Sequence, residues 1–443
     1  MKDLTQGKPI KLIVAFTLPL IAGNLFQQLY SLSDTLIVGQ TLGVKALAAV
    51  GAVGSLMFLI LGFAQGYASG LAIITAQRFG AKDYAGVRQS MATSLILSGW
   101  VTLITTIVSL IILKPILKIM QTPAEIFNNA FWFMAIILIG LFATMAYNVA
   151  SNAMRAIGES RAPIIYLIIG IFANIILELI FILIFHWGVA GAAVATVMAQ
   201  LIAALLSFWH IYKYNPVLQI TRADLHMSRT DARQHLNAGL PMGFQQSIIA
   251  IGALILQSAL NTLGTDAVAA TTAAQRIDQI AVLPLMSFGV ALATFTAQNY
   301  GAKEYHRILV GVRQAIWVSC AVAVVLGLGE IWLGRWLVSG FVGADATQVL
   351  DFSQQYFWAH GLYYALLAIL FILRYTLQGL NDARTPTLAG IAELIMRAVA
   401  ALALVGPFGF FGASLADMLA WIGSVAVLTP AYLKVTRRLK AAE

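Results

Sequence analysis

Two acidic residues lie deep in long apolar stretches with no basic residue nearby. Asp34 lies in the segment 30–35 (YSLSDT), and Glu178 ends the segment 174–178 (NIILE). A carboxylate among apolar groups is costly, so it either holds its proton or binds a cation. Either event changes the local charge by one, and two such groups close in space titrate as a coupled pair. The alternative is that both are protonated acids that only pack. A further acid, Glu330, lies nearer the end of its stretch.

The remaining acids in apolar stretches have basic neighbours in the sequence. Glu393 precedes Arg397 by one helical turn, so the two can pair directly. We expect Asp417 to join them in a structural charge cluster. Asp278 lies two residues from Arg276, which leaves ion pairing and a functional role as equal alternatives.

No constellation typical of an enzyme competes with these acids. The sequence has no Walker-type phosphate loop, no HExxH, no CxxC and no nucleophile-elbow serine, and its 6 histidines lack ligand spacing. The single cysteine, Cys320, excludes a disulfide scaffold. We therefore expect no enzymatic activity and no cofactor. Energy must come from an ion gradient, or the chain is a passive facilitator or scramblase.

The composition places these residues in a membrane. Hydrophobic residues make up 60% of the 443 positions and charged residues only 10%, whereas soluble domains carry roughly 25% charged residues. Each membrane span needs about 20 apolar residues. The first stretch begins near Leu12 and is too long for a cleaved signal peptide. The sequence predicts an all-α integral membrane protein with about twelve transmembrane helices, at 12–38, 46–76, 92–113, 127–152, 163–185, 189–213, 235–261, 267–297, 309–337, 350–378, 386–407 and 409–433.

The net charge of +9 is explained by membrane topology and not by a nucleic-acid partner. If both chain ends lie on one side, that side holds most of the 27 Lys and Arg residues. Cytoplasmic loops concentrate positive charge, so both termini are expected in the cytoplasm. The loops on the opposite side hold only Lys45, Lys114, Lys118 and Arg335.

An internal repeat divides the chain into two halves at an offset of about 222 residues. Six helices in each half give the copies the same orientation, which is a parallel repeat with a central site between the halves. We expect a first six-helix lobe at 1–213, a polar cytoplasmic linker at 214–234 and a second six-helix lobe at 235–443. The matching segments, in order, are 18–19 with 240–241, 41–43 with 262–264, 76–83 with 297–304, 158–163 with 381–386, and 188–192 with 409–413.

These segments resemble the multidrug and toxic compound extrusion (MATE) family, particularly its prokaryotic DinF-like branch. The resemblance covers essentially the whole chain and implies two lobes around a V-shaped cavity in the prokaryotic inner membrane. It further implies export of amphipathic, often cationic drugs or toxic compounds in exchange for H⁺ or Na⁺ by alternating access. It rests on the segment from Tyr30 to Asp34 with the glycines and alanines at 39–51, on 174–178, on 297–302, and on the loops 158–163 and 381–386.

The resemblance assigns a cation site to Asp34, Asn174, Glu178 and Thr196. Asn174 and Glu178 share a helix face, and Thr196 lies in a helix that begins with small residues suited to close packing. Carboxylate, amide and hydroxyl oxygens suit a small hard cation and a protonated carboxyl equally, so these residue types leave H⁺ and Na⁺ open. In this branch Pro19 is associated with a bend in helix 1. Its missing hydrogen bond makes a hinge plausible, and a static kink is the alternative.

The sequence departs from the NorM-like branch, which carries coupling carboxylates on helices 7 and 10. Helix 7 offers Gln245, Gln246 and Gln257 in place of carboxylates, and the one acid of helix 10, Asp351, lies at its outer end. By the repeat offset, apolar residues also occupy the second-half positions that match Asp34 and Glu178. We therefore expect the ion site in the first lobe only.

Substrate contacts are expected from amide and aromatic side chains within the spans. Such residues also populate membrane interfaces and lipid-facing surfaces, which is the alternative for each of them. The expected partners are the lipid bilayer and small amphipathic or cationic solutes, with no obligate protein partner evident. The candidates are Gln27, Tyr30, Tyr147, Asn148, Asn152, Gln245, Tyr363 and Tyr364.

Two other functions remain as alternatives at this point. A flippase for lipid-linked oligosaccharide or lipid II has a similar fold but needs cavity cations for its pyrophosphate, and only Arg276 and Arg397 are candidates. A membrane anchor or assembly scaffold leaves Asp34 and Glu178 unexplained.

Overall fold

The structure, a computed structural model of the chain, describes residues 3–343 and 345–443. Within these residues every regular element is a helix, which confirms the all-α prediction. A five-residue π-helix, Ile180–Ile184, continues α7, and short 3₁₀ helices lie between α8 and α9. The α-helices are α1 (Pro9–Leu42), α2 (Val44–Ala52), α3 (Gly54–Gly80), α4 (Tyr84–Ile119), α5 (Ala124–Ile139), α6 (Leu141–Ala156), α7 (Arg161–Leu179), α8 (Gly188–Tyr214), α9 (Arg229–Asn261), α10 (Thr265–Gly301), α11 (Tyr305–Val342), α12 (Thr347–Gly361), α13 (Tyr364–Gly379) and α14 (Arg384–Ala442).

Helix length and apolar character support membrane spanning across the described part of the chain. Nine helices there are long and apolar enough to cross a bilayer, or up to 11 if each bent pair counts as one span. The bent pairs are α5–α6, at 43°, and α12–α13, at 48°, so two predicted spans, 127–152 and 350–378, are broken helices. The exact count of twelve spans stays a prediction.

The last helix, α14, is long enough for two spans. Its 59 residues extend over about 90 Å at the α-helical rise, against a hydrocarbon core of about 30 Å. Gly409 interrupts it with non-helical backbone angles (φ 55°, ψ −133°). This break falls between the last two predicted spans, at the start of the second one.

The repeat seen in the sequence recurs in the backbone conformation of the turns. Residues with positive φ, which is uncommon outside glycine, occur at equivalent places in both halves. Turn geometry sets the direction in which the flanking helices leave the turn. The two halves therefore share turn conformations as well as similar residues. The matching pairs are Gly43 (80°) with Gly264 (97°), Lys82 (59°) with Lys303 (61°), Gly158 (82°) with Asn381 (65°), and Gly188 (59°) with Gly409 (55°).

The chain forms two compact units whose borders fall inside helices. Unit 1 contains Ala22–Gly243, and unit 2 contains Leu4–Ile21 together with Phe244–Glu443. Helices α1 and α9 therefore each contribute to both units, whereas the expected lobes assign each helix whole. Pro19 and Pro241 each lie within a few residues of these borders.

Specific contacts explain why the first part of α9 belongs to unit 1. A Cβ built on Gly70 of α3 would lie 2.6 Å from the Ala238 carbonyl oxygen, and one on Gly239 would lie 2.9 Å from the Tyr67 ring. Only residues without side chains allow so close an approach of α3 and α9.

The N-terminal segment is joined to unit 2 by hydrogen bonds. The Leu4 amide donates to Gln298 Oε1 at 3.0 Å, and Arg307 donates to the Gly7 carbonyl oxygen at 2.8 Å. Leu4 itself is only 1% exposed. The segment that begins at Leu4 is therefore a packed part of unit 2.

Candidate functional site

The Asp34 and Glu178 carboxyl groups lie beside each other in unit 1, within side-chain interaction distance. Asp34 comes from α1 and is half-buried, and Glu178 comes from the end of α7 and is fully buried. Among the described residues, neither oxygen of Glu178 nor Oδ1 of Asp34 has a hydrogen-bond partner. The two acids singled out by the sequence thus form one acceptor-rich group.

Asn174 and Thr196 complete this group on the α7–α8 side. The Asn174 amide nitrogen donates to Thr196 Oγ1 at 3.3 Å, and the Thr196 hydroxyl donates to the Ala192 carbonyl oxygen at 3.1 Å. Since the Thr196 proton is used within its own helix, its oxygen is free to accept from Asn174. The Asn174 amide oxygen is left without a partner although Asn174 is only 1% exposed.

Tyr30 lies next to the same group, one turn before Asp34 on α1. Its hydroxyl is within hydrogen-bonding reach of Thr196 and close to both carboxyl groups. A small cavity in unit 1 is lined by Gln27, Tyr30, Asn174 and Thr196. Two predicted substrate residues and two predicted cation ligands therefore line one space.

Gln200 also lines this cavity, and the sequence reasoning missed it. Its amide oxygen is buried without a hydrogen-bond partner. It follows Thr196 by four residues on α8, so both side chains lie on one helix face. A polar residue at that spacing in an apolar helix was the available signal.

Small residues hold α7 and α8 close enough for these contacts. A Cβ built on Gly170 would lie 3.2 Å from both the Ala199 carbonyl oxygen and the Ala203 Cβ. A Cβ on Gly191 would lie 3.1 Å from Phe181, which belongs to the π-helix that directly follows α7. Such π-helical turns occur frequently at functional sites. This packing positions Asn174 opposite Thr196.

The arrangement favours binding of a proton or a small cation. Buried oxygens without donors are unfavourable, and two adjacent carboxylates repel each other when both are charged. A proton on one carboxyl removes the repulsion and supplies one donor, whereas a cation held by several oxygens removes both penalties. The described residues contain no group of three or more His, Cys, Asp or Glu side chains that could hold a metal ion, so the neutral oxygens of Asn174 and Thr196 would supply part of any coordination.

The other predicted substrate residues of unit 1 are partly engaged in internal contacts. The Tyr147 hydroxyl is buried and donates to the Pro163 carbonyl oxygen at 3.0 Å. Asn152 is buried and accepts from Arg155 at 3.5 Å, while Asn148 is half-buried. Their roles in substrate binding stay predictions.

The predicted substrate residues of unit 2 differ in exposure. Gln245 is 3% exposed and accepts a 3.0 Å hydrogen bond from Gln378. Tyr363 is 37% exposed, whereas its neighbour Tyr364 is fully buried against acidic side chains described below. These roles also stay predictions, as does the proposed hinge at Pro19.

The charge cluster of unit 2 is larger than the sequence suggested. Arg397 bonds Asp417 at 2.7 Å and Glu393 at 3.3 Å. Arg374 of α13, which the sequence reasoning did not include, bonds Glu393 at 2.6 Å. Each of the two acids therefore has an arginine partner.

Asp278 is not paired with Arg276 in the structure. Arg276 is exposed. Side chains two residues apart on a helix lie on different faces, so Arg276 and Asp278 do not meet. Asp278 instead contacts the Tyr364 hydroxyl and, at 3.3 Å, His360 Nδ1.

One family model matches two separate segments of the chain. The MatE model matches residues 19–180 and again 241–403. The two matches cover most of the chain and reproduce the repeat offset seen in the sequence.

Curated relatives match over most of their length. The chain is 26% identical to "Probable multidrug resistance protein YpnP" of Bacillus subtilis (strain 168), over 84% of this chain and 82% of the relative. It is 24% identical to "Probable multidrug resistance protein NorM" of Thermotoga maritima, over 94% and 89%. It is also 24% identical to "DNA damage-inducible protein F" of Escherichia coli (strain K12), over 82% and 78%.

Solved structures match the whole fold. A structure described as the outward-facing conformation of a multidrug resistance MATE family transporter of the MOP superfamily superposes with a TM-score of 0.90, at 24% identity over 100% of this chain and 98% of that one. A structure of MATE in the bent conformation also gives 0.90, at 24% identity over 99% and 97%. Because the MatE model matches most of the chain, the chain belongs to the MatE family, and it is a multi-pass membrane transporter rather than an enzyme.

Proposed function

We propose that this protein is a secondary active antiporter that exports amphipathic, often cationic drugs or toxic compounds in exchange for H⁺ or Na⁺. The main supporting observation is the adjacent pair of carboxyl groups of Asp34 and Glu178, in which both Glu178 oxygens and Oδ1 of Asp34 lack a hydrogen-bond partner. The names of the multidrug relatives support the substrate class, and the oxygen-rich site supports cation coupling.

Coupling follows from the charge of this pair. Without a bound cation, two adjacent carboxylates repel each other and attract a cationic solute. Binding of H⁺ or Na⁺ lowers the negative charge, and Na⁺ could also be coordinated by the open oxygens of Glu178 and Asn174. Drug and ion thus compete for the same negative charge, which makes exchange possible without ATP.

Alternating access converts this competition into transport. In the outward-open state the drug leaves as the cation binds at Asp34 and Glu178. The bound cation then favours return of the empty protein to the inward-facing state, where it takes up another drug molecule. Movement at the proline near the unit border in α1, Pro19, accompanies this exchange.

A flippase for lipid-linked oligosaccharides is disfavoured by the chemistry of the same site. A pyrophosphate carries negative charge and needs cationic partners. Asp34 and Glu178 would repel such a group, whereas they would attract a cationic solute.

We place the protein in the prokaryotic inner membrane with both termini in the cytoplasm. The concentration of Lys and Arg in the loops on one side supports this orientation. Labelling of single cysteines introduced at each terminus in a Cys320→Ser background would test it.

The decisive experiment measures drug efflux from proteoliposomes under Na⁺ and H⁺ gradients imposed separately. We expect one gradient to accelerate ethidium or norfloxacin efflux in the wild type and to lose that effect in Asp34→Asn. The matched control is Asp351→Asn, since Asp351 is an exposed acid paired with Arg335 at 2.5 Å. Undiminished coupled transport in Asp34→Asn would reject the assignment.

A further inference from the structure

Unit 2 contains a buried group of titratable side chains that the proposed antiport mechanism does not use. The Tyr364 hydroxyl of α13 lies between two carboxyl groups, Asp278 of α10 and Glu330 of α11. Its oxygen is 2.7 Å from Glu330 Oε2 and makes a short contact with Asp278 Oδ1. Tyr364 is fully buried and Glu330 is 4% exposed.

Tyr364, Asp278 and Glu330 form a triad whose two contacts need one proton more than the proton on the tyrosine hydroxyl. A phenol has one hydrogen, so Tyr364 can donate to only one of its two carboxyl neighbours. If both carboxyls were ionised, the second contact would bring two lone pairs together, which is repulsive. A proton on one carboxyl makes that group a donor to the Tyr364 oxygen, and both contacts become hydrogen bonds.

The charged residues around the triad also favour an additional proton on one of its carboxyl groups. Asp417 of α14, which lies near His360, is paired with Arg397, and Glu393 of the same helix is paired with Arg374. These two acids and two arginines balance, so no arginine charge remains for Asp278 and Glu330 within this cluster.

Within the described part of the chain, His360 is the remaining basic group that faces the triad. Its Nδ1 lies 3.3 Å from Asp278 Oδ1, and its Nε2 lies 3.6 Å from Asp417 Oδ2 without a hydrogen-bond partner. A charged His360 would compensate one carboxylate at most. Tyr356, stacked on His360 at 3.9 Å, adds no charge.

We propose that Asp278, Tyr364 and Glu330 form a second proton-binding site, in which two carboxyl groups share one proton through the Tyr364 hydroxyl. An independent observation also supports a ligand here: Glu330 Oε1 is buried without a partner. The proton can exchange with solvent because the Asp278 side chain is 15% exposed. The site rests on its own geometry and holds its proton whether or not Asp34 and Glu178 couple transport.

Sequence reasoning had confined ion binding to the first lobe because helices 7 and 10 lack suitable acids. The acids of this site come instead from α10 and α11, the eighth and ninth predicted spans. They are brought together by tertiary packing and not by a sequence motif.

Infrared spectroscopy of the reconstituted protein tests this inference, because a protonated carboxyl has a C=O stretching band that shifts in D₂O. The measurement uses the Asp34→Asn/Glu178→Gln background, so that the first site cannot contribute and failure of the antiport proposal does not affect the result. We expect a protonated-carboxyl band at pH 7. Either Glu330→Gln or Asp278→Asn should abolish it, since the remaining carboxylate can ionise while it accepts from Tyr364.

Two further variants keep the test specific. Asp351→Asn should leave the band intact, because Asp351 is exposed on the same unit. Tyr364→Phe should move the band, because the hydroxyl that accepts from the protonated carboxyl is removed. Absence of the band in the background protein, or its persistence in both Glu330→Gln and Asp278→Asn, would overturn the proposal.

Discussion

Asn174 on α7 donates a hydrogen bond to Thr196 on α8, with 3.3 Å between Nδ2 and Oγ1. This contact joins two helices at the level of Glu178, which lies one turn after Asn174. Because the Asn174 amide nitrogen donates to Thr196, the Asn174 amide oxygen is available to a cation. The hydroxyl of Thr196 therefore supports the site without carrying charge.

Thr196→Val should weaken ion coupling without abolishing it. Valine keeps the shape of threonine but removes the acceptor used by Asn174, a hydrogen bond worth about 0.5–1.5 kcal/mol. We expect the apparent ion affinity in vesicle efflux assays to fall roughly 2- to 10-fold. Thr272→Val is the control, since this exposed hydroxyl donates only within its own helix. An unchanged ion affinity in Thr196→Val would remove Thr196 from the site.

Asp34→Asn and Glu178→Gln should be strongly non-additive. The two carboxyls interact directly, so the loss of either one removes the shared cation site. We expect the double variant to show an ion dependence no weaker than that of the more impaired single variant. The comparison pair is Lys45 and Glu125, an exposed ion pair at 2.7 Å whose neutralisation should have little effect. If the effects of Asp34→Asn and Glu178→Gln on ion dependence multiplied in the double variant, the two carboxyl groups would act independently.

Gly170→Ala should destabilise the protein, although alanine is the better helix former. Its methyl group would lie 3.2 Å from the Ala199 carbonyl oxygen and would push α7 away from α8. We expect a lower melting temperature together with weaker ion coupling, because Asn174 and Thr196 would separate. Gly99→Ala is the matched control: nothing lies within 4 Å of its added methyl, and it should gain up to about 1 kcal/mol. Equal melting temperatures for the two variants would contradict this account of the packing.

Acid should loosen the segment between the two halves through Asp224. Hydrogen bonds from the Thr221 hydroxyl and backbone N–H, at 2.6 and 2.8 Å, hold the pKa of Asp224 below its usual value. A depressed pKa stabilises the folded segment at neutral pH, and this contribution is lost as the pH falls through the folded pKa. Asp224→Asn should therefore speed hydrogen–deuterium exchange in 214–234 at pH 7.

The difference between Asp224→Asn and the wild type should shrink below the usual aspartate pKa of about 3.9. Exchange at each pH is compared with that of an unstructured peptide of the same sequence, which removes the intrinsic pH dependence. Asp345→Asn, a change of an exposed acid in another loop, should leave the segment unaffected. A difference that grows with acid would reverse the predicted sign.

The fold class was readable from the sequence because membrane spans impose strong local rules. Apolar stretches and the repeated turn residues were sufficient for the all-helical prediction and the family assignment. Helix breaks were less visible: Gly140 separates α5 from α6 although it lies inside a continuous apolar run. The division of α1 and α9 between the units depends on close contacts such as that of Gly70 with Ala238, which no local pattern encodes.

The candidate site was readable for a different reason. Asp34 and Glu178 lack sequence neighbours that could neutralise them, and Asn174 lies one turn from Glu178. The group around Tyr364 could not be found this way, since its partners come from α10 and α11, far apart in sequence. Arg276 was misleading because nearness in sequence is not nearness on a helix face.

Consumption of the ion gradient during drug transport tests the central proposal most directly. Drug is added to proteoliposomes that hold a preset H⁺ or Na⁺ gradient, and the internal ion concentration is followed with a fluorescent indicator. The account predicts that drug addition dissipates one of these gradients in the wild type and leaves it intact in Glu178→Gln. Equal dissipation in the wild type, Glu178→Gln and Asp34→Asn would contradict it.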